Sequence, residues 1–142
     1  MDYSILAGEL LNKMRSLHRA SLQKSIDEAL QGETYVLHYL NNSDGEVLPG
    51  EISNEMNVSS ARIAQTLNSM ERKGWITRRI DTGDRRKILV GLTPEGITEA
   101  EAHLKKAVDQ VTKMLTLLGE RDAKDYVRIT GKLAEIISQH NK

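Results

Sequence analysis

The 142-residue sequence has no cysteine, no phenylalanine, two prolines and one tryptophan. Without cysteine, thiol catalysis, disulfides, zinc–thiolate sites and a cysteine-based redox sensor are excluded together. No apolar run approaches the roughly 20 residues needed to cross a bilayer. Met1-Asp2-Tyr3 opens with neither a basic segment nor a signal-type apolar block, so a soluble, cytoplasmic chain with no membrane partner is expected. Paired catalytic carboxylates, a nucleophile elbow, a Gly-rich phosphate loop and metal-ligand spacing among the four histidines are missing too. The expectation is therefore no enzyme, no cofactor and no metal.

Net charge is also missing, with 20 basic residues against 20 acidic ones. A neutral chain argues against a nucleic-acid partner, because neutralising phosphates takes clustered Lys and Arg. The distribution reverses that argument. Between Arg62 and Lys87 stand eight basic residues and three acidic ones, a net +5, which leaves the remainder at −5. The apolar fraction of 39% is ordinary for a folded soluble domain. The length fits one domain, residues 1–142, and is too short for two independent cores.

From Tyr3 to Ala29, Leu6, Leu10, Met14, Leu17 and Ile26 recur at mostly helical spacing with no proline between them, which predicts one long amphipathic helix. A short helix is predicted over Gly32–Asn41, ended by the turn residues Asn41-Asn42-Ser43-Asp44-Gly45. Pro49 suits the first turn of another. From Pro94 to Leu118 the residues Ile97, Ala100, Leu104, Ala107, Val111, Met114 and Leu118 step by alternate threes and fours. That is an apolar stripe of coiled-coil spacing. Gly119 stops it, and Ala123–Ile137 gives a last amphipathic helix. Such faces are too long for a chain of this size to cover easily; an intramolecular bundle is one solution, and packing against a second copy is the more economical.

The functional segment lies between these helices. Ile52, Met56 and Val58 sit where a first helix and a tight turn pack inward, and Ser59 and Ser60 supply hydroxyls to cap a second helix. In that second helix Ile63, Leu67 and Met70 face the core at i, i+4 and i+7, turning Ser60, Arg62, Gln65, Thr66 and Ser69 mostly outward. A small polar helix face of this kind fits the major groove, where Arg reads guanine and Gln reads adenine. Trp75–Ile80 and Lys87–Thr93 then read as two strands around Asp81-Thr82-Gly83-Asp84-Arg85-Arg86. Gly83 is expected at positive φ in the turn, and the paired arginines suit phosphates or a narrow minor groove.

These residues resemble the MarR family of winged helix regulators, across essentially the whole chain. The most specific part is Asp81-Thr82-Gly83-Asp84-Arg85-Arg86 followed by an apolar strand ending in Leu92-Thr93-Pro94-Glu95-Gly96, and Leu67 to Arg78 resembles the family's recognition-helix exit. The resemblance implies a mainly α fold with a small β-wing, in which residues 32–93 form the DNA-binding unit and 1–31 with 94–142 the dimerisation helices. It implies a homodimeric regulator, of repressor type, on a palindromic double-stranded operator. Arg85 and Arg86 become wing-tip contacts, with Asp84 orienting one of them. A small aromatic or anionic ligand is a further implied partner, for which Arg15, His18, Tyr35 and Tyr39 are the candidates; their plainer reading is a surface arginine with core or rim rings. The absence of cysteine sets the chain apart from the peroxide-sensing branch. The alternative reading is a helical dimerisation adaptor whose winged unit binds protein rather than DNA.

Overall fold

Asp2 opens the first helix by accepting the Ser4 backbone N–H at 2.9 Å, and α1 runs Tyr3–Arg19. The computed structural model describes residues 1–30 and 32–141. The long N-terminal helix expected from periodicity is in fact two. Ala20 adopts extended backbone (φ −73°, ψ 136°) and separates α1 from α2, Ser21–Ala29. The break redirects the apolar face: α2 buries Ile26, whereas none of α1 is buried. No glycine or proline marks this break, so local sequence does not announce it.

Helix α3 spans Gly32–Asn41 and α4 spans Pro49–Met56, with proline in its first turn as expected. The Glu51 carboxylate reaches back to the Leu48 N–H at 3.3 Å. α4 ends at Asn57, a left-handed residue (φ 54°, ψ 47°), a conformation that asparagine tolerates better than most side chains. Two residues later Ser59 caps α5, Ser60–Arg72, its hydroxyl accepting the Arg62 N–H at 3.1 Å. The helix-turn-helix is thus made by one tolerant asparagine and one capping serine.

Strands β1, Ile76–Ile80, and β2, Ile88–Leu92, pair antiparallel from Ile76↔Leu92 to Ile80↔Ile88. Val47 adds a single bridge to Val90, exchanging bonds of 2.9 and 2.8 Å. The turn differs from expectation at Gly83, which is not at positive φ. Aspartates shape it instead: Asp81 accepts the Gly83 N–H at 3.1 Å, and Asp84 accepts the Arg86 N–H at 3.0 Å. Helices α6, Pro94–Leu118, and α7, Glu120–His140, complete the chain, with Gly119 (φ 84°) between them. This is the predicted fold class, mainly helical with a small β-wing.

The chain divides into two compact units, Met1–Ala107 and Val108–Lys142, at a point inside α6. The first holds the core: Val36, Leu37 and Leu40 of α3, Ile52 of α4, Ile63, Leu67 and Met70 of α5, and Ile76 and Val90 of the wing. Each fully buried side chain of this size contributes about 1.5–3 kcal/mol relative to exposure. Together they fix the face that α5 must turn inward. The second unit's α7 has no buried residue and leaves Tyr126, Val127, Ile129, Leu133, Ile136 and Ile137 exposed.

Candidate nucleic-acid interface

Because Ile63, Leu67 and Met70 are locked into the core, the outward face of α5 follows from geometry. At about 100° per residue, Ala61, Gln65, Asn68 and Arg72 point most directly away from that face. All four are exposed, as are Ser60, Arg62 and Ala64. Thr66 and Ser69 lie to the side and are half-buried. The Thr66 hydroxyl donates to the Arg62 carbonyl at 3.0 Å, and the Ser69 hydroxyl donates to the Glu33 carboxylate at 2.6 Å. Ser69 therefore tethers α5 to α3, a use its polarity alone does not reveal.

Asn68 and Arg72 join this face although side-chain type and spacing did not single them out. The signal is present in the sequence, since helical angle places both opposite the core face; polarity alone favours Thr66 and Ser69 instead. With Gln65, Glu71 and Arg78 they line an open depression of about 410 Å³.

Half of the eight cations between Arg62 and Lys87 are held by carboxylates. Lys73 pairs with Glu33 at 2.6 Å, Arg78 with Glu71 at 2.9 Å, Arg79 with Glu46 at 2.7 Å and Arg86 with Asp84 at 3.2 Å. The Arg78 hydrogen bond holds the Glu71 carboxyl below its ordinary range, and the Arg86 hydrogen bond does the same for Asp84. Among the described residues Arg62, Arg72, Arg85 and Lys87 have no ion pair, and all are exposed. These four sit on the recognition helix and the wing, which leaves uncompensated positive charge where a nucleic-acid backbone would need it.

The base of the wing is fixed to the helices around it. Thr93 donates to the Gly74 carbonyl at 2.6 Å and accepts the Gly96 N–H at 3.0 Å, closing the hairpin onto the start of α6. Trp75 meets His103 edge-on at 6.2 Å between ring centroids, and Lys73 lies 4.8 Å above the indole. Thr34 Oγ1 is 3.0 Å from His103 Nδ1. Recognition helix, wing and the first turns of α6 are therefore tied together within the first unit.

The four ligand candidates are not gathered together. Arg15 donates to Asn12 at 2.9 Å, His18 meets Asp27 at 3.0 Å, and Tyr39 packs against the core. Tyr35 alone of the four lines a recess of about 300 Å³, with Leu30, Gly32, Glu55, Met56, Val58 and Arg62. No cluster of His, Asp or Glu suited to a metal occurs among the described residues, and no described helix is long and apolar enough to cross a membrane.

Residues 26–87 match the model of the MarR family. The HTH-type transcriptional repressor YetL of Bacillus subtilis is 30% identical over 95 residues, which span 67% of this chain and 57% of YetL. The aligned stretch thus covers less than two thirds of that relative. The repressor MdtR of the same organism is 29% identical over 145 residues, covering 96% of this chain and 93% of MdtR. Among solved structures, the YusO protein from Bacillus subtilis superposes with a TM-score of 0.71 at 25% identity, over 95% of this chain and 99% of that one. The curated relatives matched are transcription regulators by name, not enzymes.

Proposed function

The chain belongs to the MarR family, and from that premise we propose that it is a sequence-specific DNA-binding transcription regulator, acting as a repressor. It binds a palindromic operator as a homodimer. One observation carries the reading: the cations without ion-pair partners, Arg62, Arg72, Arg85 and Lys87, all belong to the recognition helix and the wing. Elsewhere on a winged fold such a concentration of unpaired charge would only cost self-repulsion. Ser60, Arg62 and Gln65 face the groove, Arg85 and Arg86 flank it, and Asp84 sets the pose of Arg86.

Two recognition helices related by a two-fold axis read an inverted repeat whose half-sites are about one helical turn apart. Relief by a small aromatic or anionic ligand belongs to the same reading. The Tyr35 recess offers apolar walls at Leu30, Met56 and Val58 and a cation at Arg62. An anion held there engages an arginine that DNA binding needs.

The test is titration of the full chain against duplexes selected from a random pool, repeated across salt concentrations. Log K should fall linearly with log salt, as counterion release requires. A complex insensitive to salt, or selection of no sequence, would overturn the reading and favour a protein-binding adaptor.

A further inference from the structure

The outward stripe of α5 has an unusual composition. A merely solvated helix face is commonly built from Lys and Glu, whereas this one presents two exposed alanines, Ala61 and Ala64, and two exposed amides, Gln65 and Asn68. The alanines have no side chain long enough to hold the helix backbone away from a groove floor. Neither amide has a hydrogen-bond partner among the described residues, while the neighbouring hydroxyls of Thr66 and Ser69 are committed to Arg62 and Glu33. The two amides are therefore the uncommitted donor–acceptor groups of the stripe. Both open into the same depression as Arg72 and the Glu71–Arg78 ion pair.

Resting on the DNA-binding reading above, we propose that Gln65 and Asn68 form a pair of adenine readers, so that each operator half-site carries two adenines one or two base steps apart. A carboxamide donates and accepts at once, which matches the N7 acceptor and N6 donor that adenine shows in the major groove. Residues three apart on a helix are about 4.5 Å apart along its axis, against about 3.4 Å per base along a strand. One amide thus lies a little over one base step beyond the other. Phosphate is the poorer partner for this pair, because the Glu71 carboxylate shares their depression and repels it. A base edge carries no such charge.

The experiment selects duplexes from a random pool with the full-length wild type, Asn68→Ala and Gln65→Ala. Wild type should enrich inverted repeats with adenines at two fixed positions of each half-site. Asn68→Ala should lose the preference at one of them and Gln65→Ala at the other, each with affinity for the best operator lowered about 5- to 100-fold. Replacing the Asn68-dependent adenine by 7-deazaadenine removes the N7 acceptor, and should weaken wild type but not Asn68→Ala. Alanine is the better helix former at an exposed site, so the thermal midpoint of Asn68→Ala should be no lower than that of wild type. Operators without adenine at these positions, or an unchanged preference in Asn68→Ala, would overturn the pair while leaving DNA binding standing. Failure of the wild type to select any sequence would overturn both.

Discussion

Gly96 carries no special backbone angle, yet its missing side chain is essential to the packing. A Cβ built there would lie 2.0 Å from the Trp75 carbonyl oxygen and 2.9 Å from its carbon. Backbone cannot swing aside as a flexible side chain can, so the first turn of α6 would have to move off the base of the wing. Gly96→Ala should lower stability by at least the 1–3 kcal/mol typical of overpacking, read as a shifted denaturant midpoint. The same variant should weaken DNA binding, because the wing loses its anchor at Thr93. Glu33 works through charge. Burial alone would raise its pKa, but hydrogen bonds from Lys73 and Ser69 outweigh that and hold it below the ordinary glutamate range. Its contribution to stability is therefore fully present at neutral pH and is lost as pH falls through the lowered value. Glu33→Gln should cost about 1 kcal/mol at pH 7, and the gap to wild type should narrow in unfolding curves at pH 3. An equal gap at both pH values would mean that the carboxylate's charge plays no part in tying α5 to α3.

At the scale of elements, the wing tip divides its two arginines. Arg86 is held by Asp84 through both a backbone and a side-chain bond, whereas Arg85 has no ion pair among the described residues. Arg85→Ala should weaken binding to all duplexes and flatten the slope of log K against log salt by about 1 for each phosphate left un-neutralised. Asp84→Ala removes a constraint and a negative charge together: it should leave the slope no shallower while lowering affinity, because Arg86 then has more conformations to lose on binding. Titration of wild type, these two variants and Arg86→Ala against one operator separates these outcomes. If both arginine variants kept the wild-type slope, the wing would have no part in phosphate binding. The recognition helix shows which features of an element are legible beforehand. Its core face, its Ser59 cap and its limits near Ser60 and Arg72 follow from periodicity and capping chemistry. The engagement of Ser69 by Glu33 does not, because the partner lies 36 residues away in sequence and only packing brings the two together.

For the molecule as a whole, the unburied apolar faces of α1 and α7 ask for a covering surface. Leu6, Leu10, Met14 and Leu17 of α1 are all about half exposed, and so are Leu133 and Ile137 of α7. A homodimer covers such faces at the cost of one association step, and its mass by light scattering should be twice the 15.9 kDa of the chain. Replacing Leu104 and Val111 by Glu should give monomers or aggregates and abolish operator binding; a monomeric wild type at micromolar concentration would defeat the dimer proposal. The sequence by itself determined the order of helices, the helix-turn-helix, the two wing strands and the segregation of +5 of charge into residues 62–87, because periodicity, caps and turn residues act over a few positions. Tertiary structure alone decided that the N-terminal helix breaks at Ala20, where burying Ile26 in the core competes with continuing a helix that no local residue interrupts. It also decided which cations stay available. Glu46 and Glu33 reach Arg79 and Lys73 from 33 and 40 residues away, and a salt bridge between distant residues depends on how the chain folds back rather than on any local pattern.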